Sequence, residues 1–380
     1  MSDAQGPRRL LFISNGYGED SIAAAIVRNL PRGFIAEAYP TIGDGAAYRD
    51  VCAIVGPRAQ LPSQGWRNVR FSLLHDLRSG ALGTVWPGVQ FLRRVKRSYD
   101  RIIVVGDILG VAGSWAAGAR DVIYLDVYKT GYGRSYTALE RFFITRTVAT
   151  VFCRNDMLAT ALLAEGVDAR AAGNIMMDVV PYGDYDAKSR RTRPTAVTLL
   201  PGSRQYTAES FALQIAAIRA LPPEITPDIF LAVAGSISID DLAKAAKLVR
   251  SGLLTGEAGD LSTLRDERLT VHMARNSLGN LIEASDVVLS QAGTATVQAI
   301  GLGRPVITFR NFRDRRSRFE DEQKLFGLSR IVTLPEPASV AEALTILLSN
   351  RAEREKLGAT GRERIGSPGA MAAIVETITA

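Results

Sequence analysis

Short, almost wholly apolar runs alternate with helical stretches along this chain, and the alternation happens twice. A strand that is apolar on both faces must be covered on both. Short connections achieve that when strands lie parallel with helices packed above and below. In the first stretch, residues 10–14, 34–39, 51–55, 101–105, 122–126 and 147–153 read as strands, with helices over 21–30, 110–119 and 156–165. In the second, strands are expected at 195–200, 228–234, 268–272, 287–290, 306–309 and 331–334. Helices are expected at 207–219, 240–251, 278–284, 293–301, 340–348, 351–365 and 370–378.

The polar, proline-bounded run 181–194 separates the two stretches and reads as a linker. The chain of 380 residues therefore divides into 1–185, 195–365 and a last helix in 366–380. Ligands of open α/β sheets bind beyond the carboxyl ends of the strands, so two such domains are expected to face a central cleft. Small and polar residues collect at those strand ends: 15–20, 106–107, 202–204, 235–236 and 292–296.

Composition excludes several classes. With 47% apolar and 22% charged residues the chain is neither disordered nor collagen-like. Cys52 and Cys153 are the only cysteines, and His75 and His272 the only histidines. A disulfide framework and a metal centre are therefore not expected. Of the 46 basic residues in a chain of net charge +7, only seven are lysines. The arginine excess reflects either compositional bias or a surface for phosphate or anionic lipid. No zinc finger, RNA-binding aromatic motif or concentrated basic helix is present, so nucleic acid is not an expected partner. The run 10–14 is too short for a signal h-region, so no signal peptide is expected, and no apolar run of roughly 18 residues occurs. The expected location is the cytoplasm, with peripheral attachment to the inner face of the plasma membrane left open.

Several strand ends carry candidate chemistry. Gly16 and Gly18 let the first loop turn tightly into a helix whose free N–H groups suit an anion or a sugar hydroxyl; an ordinary capped turn is the alternative. Asp107 either takes a proton from an acceptor hydroxyl or caps the following helix. Asp20 and Asp126 are further base candidates, and Asp126 precedes a Tyr- and Gly-rich loop that could line an acceptor pocket. In 199–205, Gly202, Ser203 and Arg204 suit a diphosphate, and the absent Walker lysine argues against an ATPase. Gly235 ends another strand. Gly293, Thr294, Ala295, Thr296 and Gln298 form a glycine turn and helix start that can hold a diphosphate or pack the helix on the sheet. Six arginines in 304–318, interleaved with Phe309, Phe312 and Phe319, read as a solvated loop, a phosphate contact or an anionic-membrane patch. Glu320 and Gln323, just beyond, could hold sugar hydroxyls.

At these residues the chain resembles the lipid-A-disaccharide synthase family, and more closely the lipid-A-disaccharide synthase-related proteins of bacteria. The resemblance rests on 199–204, on Gly293-Thr294-Ala295-Thr296 and on Gly303-Arg304-Pro305-Val306. It rests also on Gly173-Asn174-Ile175-Met176-Met177-Asp178, where Asn174 replaces the family's histidine. It implies a GT-B glycosyltransferase: an acceptor domain, a UDP-sugar domain, no permanently bound cofactor or metal, and a last helix returning to the first domain. The UDP-sugar would be the donor substrate, a lipid or polyprenyl carrier the acceptor, and the oligomeric state is left open. Two departures matter. The family's glutamate in the first loop falls on Gly16, and its Thr-Leu-Glu ending is Thr296-Val297-Gln298, which replaces a carboxylate by an amide. The expected reaction is inverting sugar transfer with Asp107 as base. The rivals are a UDP-sugar 2-epimerase-like enzyme and a non-catalytic nucleotide- or lipid-binding protein.

Overall fold

The computed structural model describes residues 6–58, 81–133, 135–202, 206–235, 237–252, 256–310 and 316–380. It divides into two compact units, Met1–Val179 with Pro368–Ala380, and Val180–Ser367.

In the first unit β1 (Arg8–Ser14), β2 (Phe34–Pro40), β3 (Ala53–Ile54), β4 (Arg101–Gly106), β5 (Val122–Asp126), β6 (Val148–Phe152) and β7 (Asp168–Arg170) form one sheet. Its order is β3-β2-β1-β4-β5-β6-β7, and every pairing among the described residues is parallel. Around it lie α1 (Tyr17–Arg28), α2 (Ala81–Val95), α3 (Ile108–Ala116), α4 (Ala138–Thr147), α5 (Asp156–Leu163) and α6 (Ile175–Asp178). The period-2 side-chain alternation sends Leu11, Ile13 and Val104 into a cluster with Val89, Leu92 and Val111 of α2 and α3. It sends Leu10, Phe12, Ile103 and Val105 into a second cluster with Ile22 and Ile26 of α1. Burying both faces explains why these strands are apolar throughout, each large side chain contributing about 1.5–3 kcal/mol.

In the second unit the strands are β8 (Ala196–Leu200), β9 (Asp228–Ala232), β10 (Val249–Ser251), β11 (Asp260–Arg265), β12 (Thr270–Ala274), β13 (Val287–Ser290), β14 (Val306–Phe309) and β15 (Arg330–Thr333). Their order is β10-β11-β12-β9-β8-β13-β14-β15. The sheet is parallel except at one edge, where β10, β11 and β12 are antiparallel. The helices are α7 (Thr207–Arg219), α8 (Ile239–Ala246), α9 (Leu278–Glu283), α10 (Thr294–Gly301), α11 (Arg316–Phe326), α12 (Pro337–Ser349) and α13 (Arg351–Ile365). The antiparallel edge differs from the sequence expectation of one helix over 240–251. The helix stops at Ala246 because Lys247 adopts a left-handed φ of 52°, and the chain turns into β10.

The run 181–194 is not a free tether. Tyr185 and Ala187 are buried beside Phe230, Ala274 and Leu281. The Asp228 carboxylate accepts the N–H groups of Thr192 and Arg193 at 2.8 and 2.7 Å, and Arg191 pairs with Asp286 at 3.0 Å. The last helix, α14 (Ala370–Thr379), belongs to the first unit. Its Ile374 and Ile378 join the β1 and β4 side chains, and the Asp178 carboxylate accepts the N–H groups of Gly369 and Met371 at 2.8 and 3.3 Å. Among the described residues no helix is long and apolar enough to cross a membrane.

One close contact fixes α10. Gly303 (φ 76°) ends the turn after that helix, and a Cβ at Gly358 of α13 would lie 2.3 Å from the Gly303 carbonyl oxygen. Gly358→Ala is expected to cost about 1–3 kcal/mol by forcing α13 off α10. A lowered urea midpoint checks it, and an unchanged midpoint refutes the contact.

Candidate functional site

Each sheet winds outward in both directions from its first strand. In the first unit the chain leaves β1 for β2 on one side and later returns to β4 on the other. In the second it leaves β8 for β9 and returns to β13. Such switch points leave a crevice at the carboxyl ends of the two central strands, because the loops leave in opposite directions.

The first crevice lies over Ser14 and Gly106. Gly106 has φ 143°, and a Cβ there would sit 2.1 Å from Asn15 Oδ1 and 3.4 Å from Glu19 Cγ. Both side chains therefore lie on the end of β4. Asn15 Oδ1 is buried and accepts no hydrogen bond among the described residues. A Cβ at Gly16 would meet Glu19 Oε2 at 2.5 Å, so Glu19 folds back over the loop. Gly18 is exposed in the first turn of α1. Asn15 and Glu19 are the residues that the sequence reading missed; their signal is position, immediately after the strand facing the switch.

The three predicted bases are placed differently. Asp107 is the N-cap of α3, its Oδ1 accepting the Leu109 N–H at 2.8 Å. Asp20 is 1% exposed. Its Oδ1 accepts from Ser14 Oγ at 2.6 Å, and that hydroxyl in turn accepts from Tyr48 at 2.7 Å. Burial pushes the Asp20 carboxyl up to about 7. Asp126 is buried, with Oδ1 accepting from the Tyr128 and Lys129 N–H groups and Oδ2 from the Tyr136 phenol at 2.6 Å. Burial raises it to about 6. Asp126 thus holds its own loop together, with Lys129 bonded to Glu140 at 2.8 Å behind it.

The second crevice lies over Leu200 and Ser290. Gly202 (φ 101°) approaches the Gln291 carbonyl oxygen, to which a Cβ would be 3.4 Å, and Gln291 N–H donates to Leu200 O at 2.8 Å. Gly293 and Thr294 are exposed and Ala295 half-buried. Gly293 supplies no side-chain cap to α10, and the first turn of that helix carries no acidic residue. Thr296 is turned inward: its Oγ1 donates to Ala292 O at 2.5 Å and accepts from Ser290 Oγ at 2.6 Å, which itself accepts the Ala292 N–H at 3.2 Å. Thr296 is therefore part of the lock that shapes the turn. Gln298 is buried on the same helix, and Gly235, after β9, faces open space.

Ser203, Arg204, Ser236 and His75 lie outside the described residues. Glu320 is exposed on α11. Gln323 is engaged within the fold: its amide N–H groups donate to Gly327 and Arg330 carbonyls at 2.8 and 3.0 Å, and its Oε1 accepts from Arg330 Nε at 2.8 Å. This takes it away from sugar hydroxyls. Arg304 caps α9 through the Ile282 and Glu283 carbonyls at 3.2 and 3.1 Å rather than facing a membrane. Asn174, 2% exposed, caps α6 through the Met176 N–H at 3.1 Å. Burial pushes the thiols of Cys52 and Cys153 up to about 11 and about 12, away from nucleophile chemistry. His272 is half-buried against Phe230, and burial lowers it. Among the described residues no group of three or more His, Cys, Asp or Glu could hold a metal.

No family model matches the chain. It is 25% identical over 192 residues to a lipid-A-disaccharide synthase of Xylella fastidiosa, a match covering 49% of this chain and 46% of that protein. Solved structures share the fold along the whole chain. The spinosyn rhamnosyltransferase SpnG, complexed with thymidine diphosphate, superposes with a TM-score of 0.59 at 14% identity, covering 98% of this chain and 100% of that one. MnaA of S. aureus, solved with UDP, gives 0.58 at 15%, covering 98% and 96%. A UDP-N-acetylglucosamine 2-epimerase gives 0.56 at 12%, covering 98% and 95%. The architecture is GT-B: two Rossmann-like α/β units in one chain.

Because Asp20 is raised from 3.8 to about 7, folding favours its protonated form, and its ionisation costs stability as pH rises through that window. Asp20→Asn keeps an acceptor for Ser14 and is neutral throughout. Its stability gain over the wild type is expected to be absent below pH 3.8, to grow with pH and to be full above about 7. Urea unfolding of both proteins across this range checks it; a pH-independent difference contradicts the burial argument.

Proposed function

We propose that the protein is an inverting glycosyltransferase that moves a sugar, an N-acetylglucosamine derivative, from a UDP-sugar to the hydroxyl of a lipid or polyprenyl-type acceptor. The observation that carries this reading is the electrostatic contrast between the two crevices. Both helices open on a glycine that gives no side-chain cap, but the helix that opens the first crevice carries Glu19 and Asp20 in its first turn and the helix that opens the second carries no acid. Carboxylates at a helix N-terminus offset its positive end and disfavour a diphosphate, whereas a first turn without acids leaves that end to an anion. The similarity to lipid-A-disaccharide synthase supports the lipid acceptor, and MnaA with UDP supports the nucleotide.

In the proposed reaction the acceptor hydroxyl attacks the anomeric carbon from the face opposite the diphosphate. The bond to the diphosphate oxygen breaks, UDP leaves and the configuration inverts. We assign the base to Glu19, which lies on the end of β4 beside the open acceptor Asn15 Oδ1. Asp107, capping α3, is given a structural part. The N–H groups of Gly293, Thr294 and Ala295, with Gly202 giving close approach and Arg204 a bidentate partner, meet the charge growing on the departing UDP.

The 2-epimerase on the same fold favours a second reading, in which the UDP-sugar is consumed with no lipid. The test is incubation with a panel of UDP-sugars, with and without membrane lipid extract, followed by mass spectrometry. Transfer is expected to give UDP and a new glycolipid only when lipid is present. A free epimer without lipid decides for the second reading, and UDP binding without turnover for a non-catalytic protein. Within the transferase reading, Glu19→Gln is expected to lower kcat by roughly 100-fold or more, the scale of general-base catalysis. Arg204→Ala should raise donor Kd and lower kcat. A larger kcat loss in Asp107→Asn than in Glu19→Gln, at equal stability, would reverse the assignment.

A further inference from the structure

Arg101 opens β4 at the sheet edge opposite the crevice. It is only partly exposed, its Nε is wholly buried, and its guanidinium has no hydrogen-bond or ion-pair partner among the described residues. It lines an open pocket of about 300 Å³ walled by residues 96–97, 99–102 and 118–121. Lys96, Arg97, Arg101 and Arg120 face this pocket, against Asp100 and Asp121. Asp100 Oδ2 already accepts the Arg9 N–H at 2.6 Å. Lys96 Nζ donates to the Ala117 and Gly118 carbonyls at 2.7 and 3.0 Å, beyond the end of α3, and Arg120 reaches only the neighbouring Ala119 carbonyl at 3.0 Å. None of the four cations forms an ion pair with a carboxylate among the described residues. A buried donor without a partner costs about 1–3 kcal/mol, and the Arg101 Nε bears it in the wall of a pocket whose lining charge is predominantly positive.

The two helices whose ends reach the pocket, α2 and α3, also carry exposed aromatic side chains. Trp115, just before the carbonyls that Lys96 binds, packs edge-on against Phe142 and Phe143 with centroids 5.7 and 5.3 Å apart. Exposed Trp86 lies beneath the Arg93 guanidinium at 5.4 Å, and Arg93 donates to Ala116 O.

We propose that this pocket binds a phosphate group through Arg97, Arg101 and Arg120, at the sheet end remote from the sugar-transfer crevice and independently of it. A guanidinium fork matches two phosphate oxygens, and Arg101 lines the pocket with no partner for its guanidinium among the described residues. The phosphate is either a free anion or the headgroup of an anionic lipid; exposed tryptophans on α2 and α3 suit a membrane interface.

The experiment measures thermal unfolding against inorganic phosphate at ionic strength matched with chloride, and flotation with phosphatidylcholine vesicles with and without phosphatidylglycerol. The wild type is expected to respond to phosphate, to phosphatidylglycerol, or to both. A phosphate response identifies the free anion as a ligand, and flotation alone identifies the headgroup. Arg101→Met and Arg120→Met are each expected to weaken the response by about 10-fold, the worth of a charge-assisted pair. Arg120 is exposed, so its variant decides the matter if Arg101→Met does not fold. A response unchanged in the folded variants, or a wild type that responds to neither probe, overturns the proposal.

Discussion

Both units depend on one constraint: a parallel strand buried on both faces must hand its chain to a helix at its carboxyl end, and the first strand must do so at the centre of the sheet. That leaves one gap per sheet where loops part. Glycine is needed at both for different reasons. Gly106 leaves room for the Asn15 side chain, whose Oδ1 would lie 2.1 Å from a Cβ, and Gly202 takes a φ of 101° that other residues rarely adopt. The site residues follow from this geometry, because whatever stands immediately beyond β1, β4, β8 or β13 is held over a crevice by the sheet itself.

The two crevices start from the same geometry and diverge in charge. In the first unit Glu19 and Asp20 occupy the first turn of α1, and burial holds Asp20 with a carboxyl near neutrality inside the Ser14 and Tyr48 network. In the second, Ser290, Ala292 and Thr296 bond to one another, and the helix that follows has neither a side-chain cap nor an acid in its first turn. A hydroxyl awaiting deprotonation suits the first arrangement and a leaving diphosphate suits the second.

Most parallel strands were legible because burial on two faces selects continuous apolar runs, as at 102–105, 122–126 and 196–200. The short β7, in which only Ala169 is buried, was not, and of the antiparallel edge only β12 was read, as the run 268–272. β11 (Asp260–Arg265) is polar, with its buried residues interspersed among more exposed ones, and the helical pattern before β10 gives no warning of the turn at Lys247. The loops of the site were legible from their glycines. The tasks of individual polar side chains were not, since a sequence does not say whether an oxygen serves a ligand or the chain's own backbone. Asp126 and Gln323 serve the backbone. Asp20 shares a helix face with the buried Ala23 and Ala24, a periodicity that already pointed it inward, while its neighbour Glu19 lies over β4.

The central claim is that a nucleoside diphosphate binds at the β8–β13 switch. A crystal structure of the protein with UDP tests it most directly. The account predicts diphosphate oxygens within about 3.2 Å of the N–H groups of Gly293, Thr294 or Ala295. A diphosphate ordered against the first unit, or no bound nucleotide at saturating UDP, would contradict it.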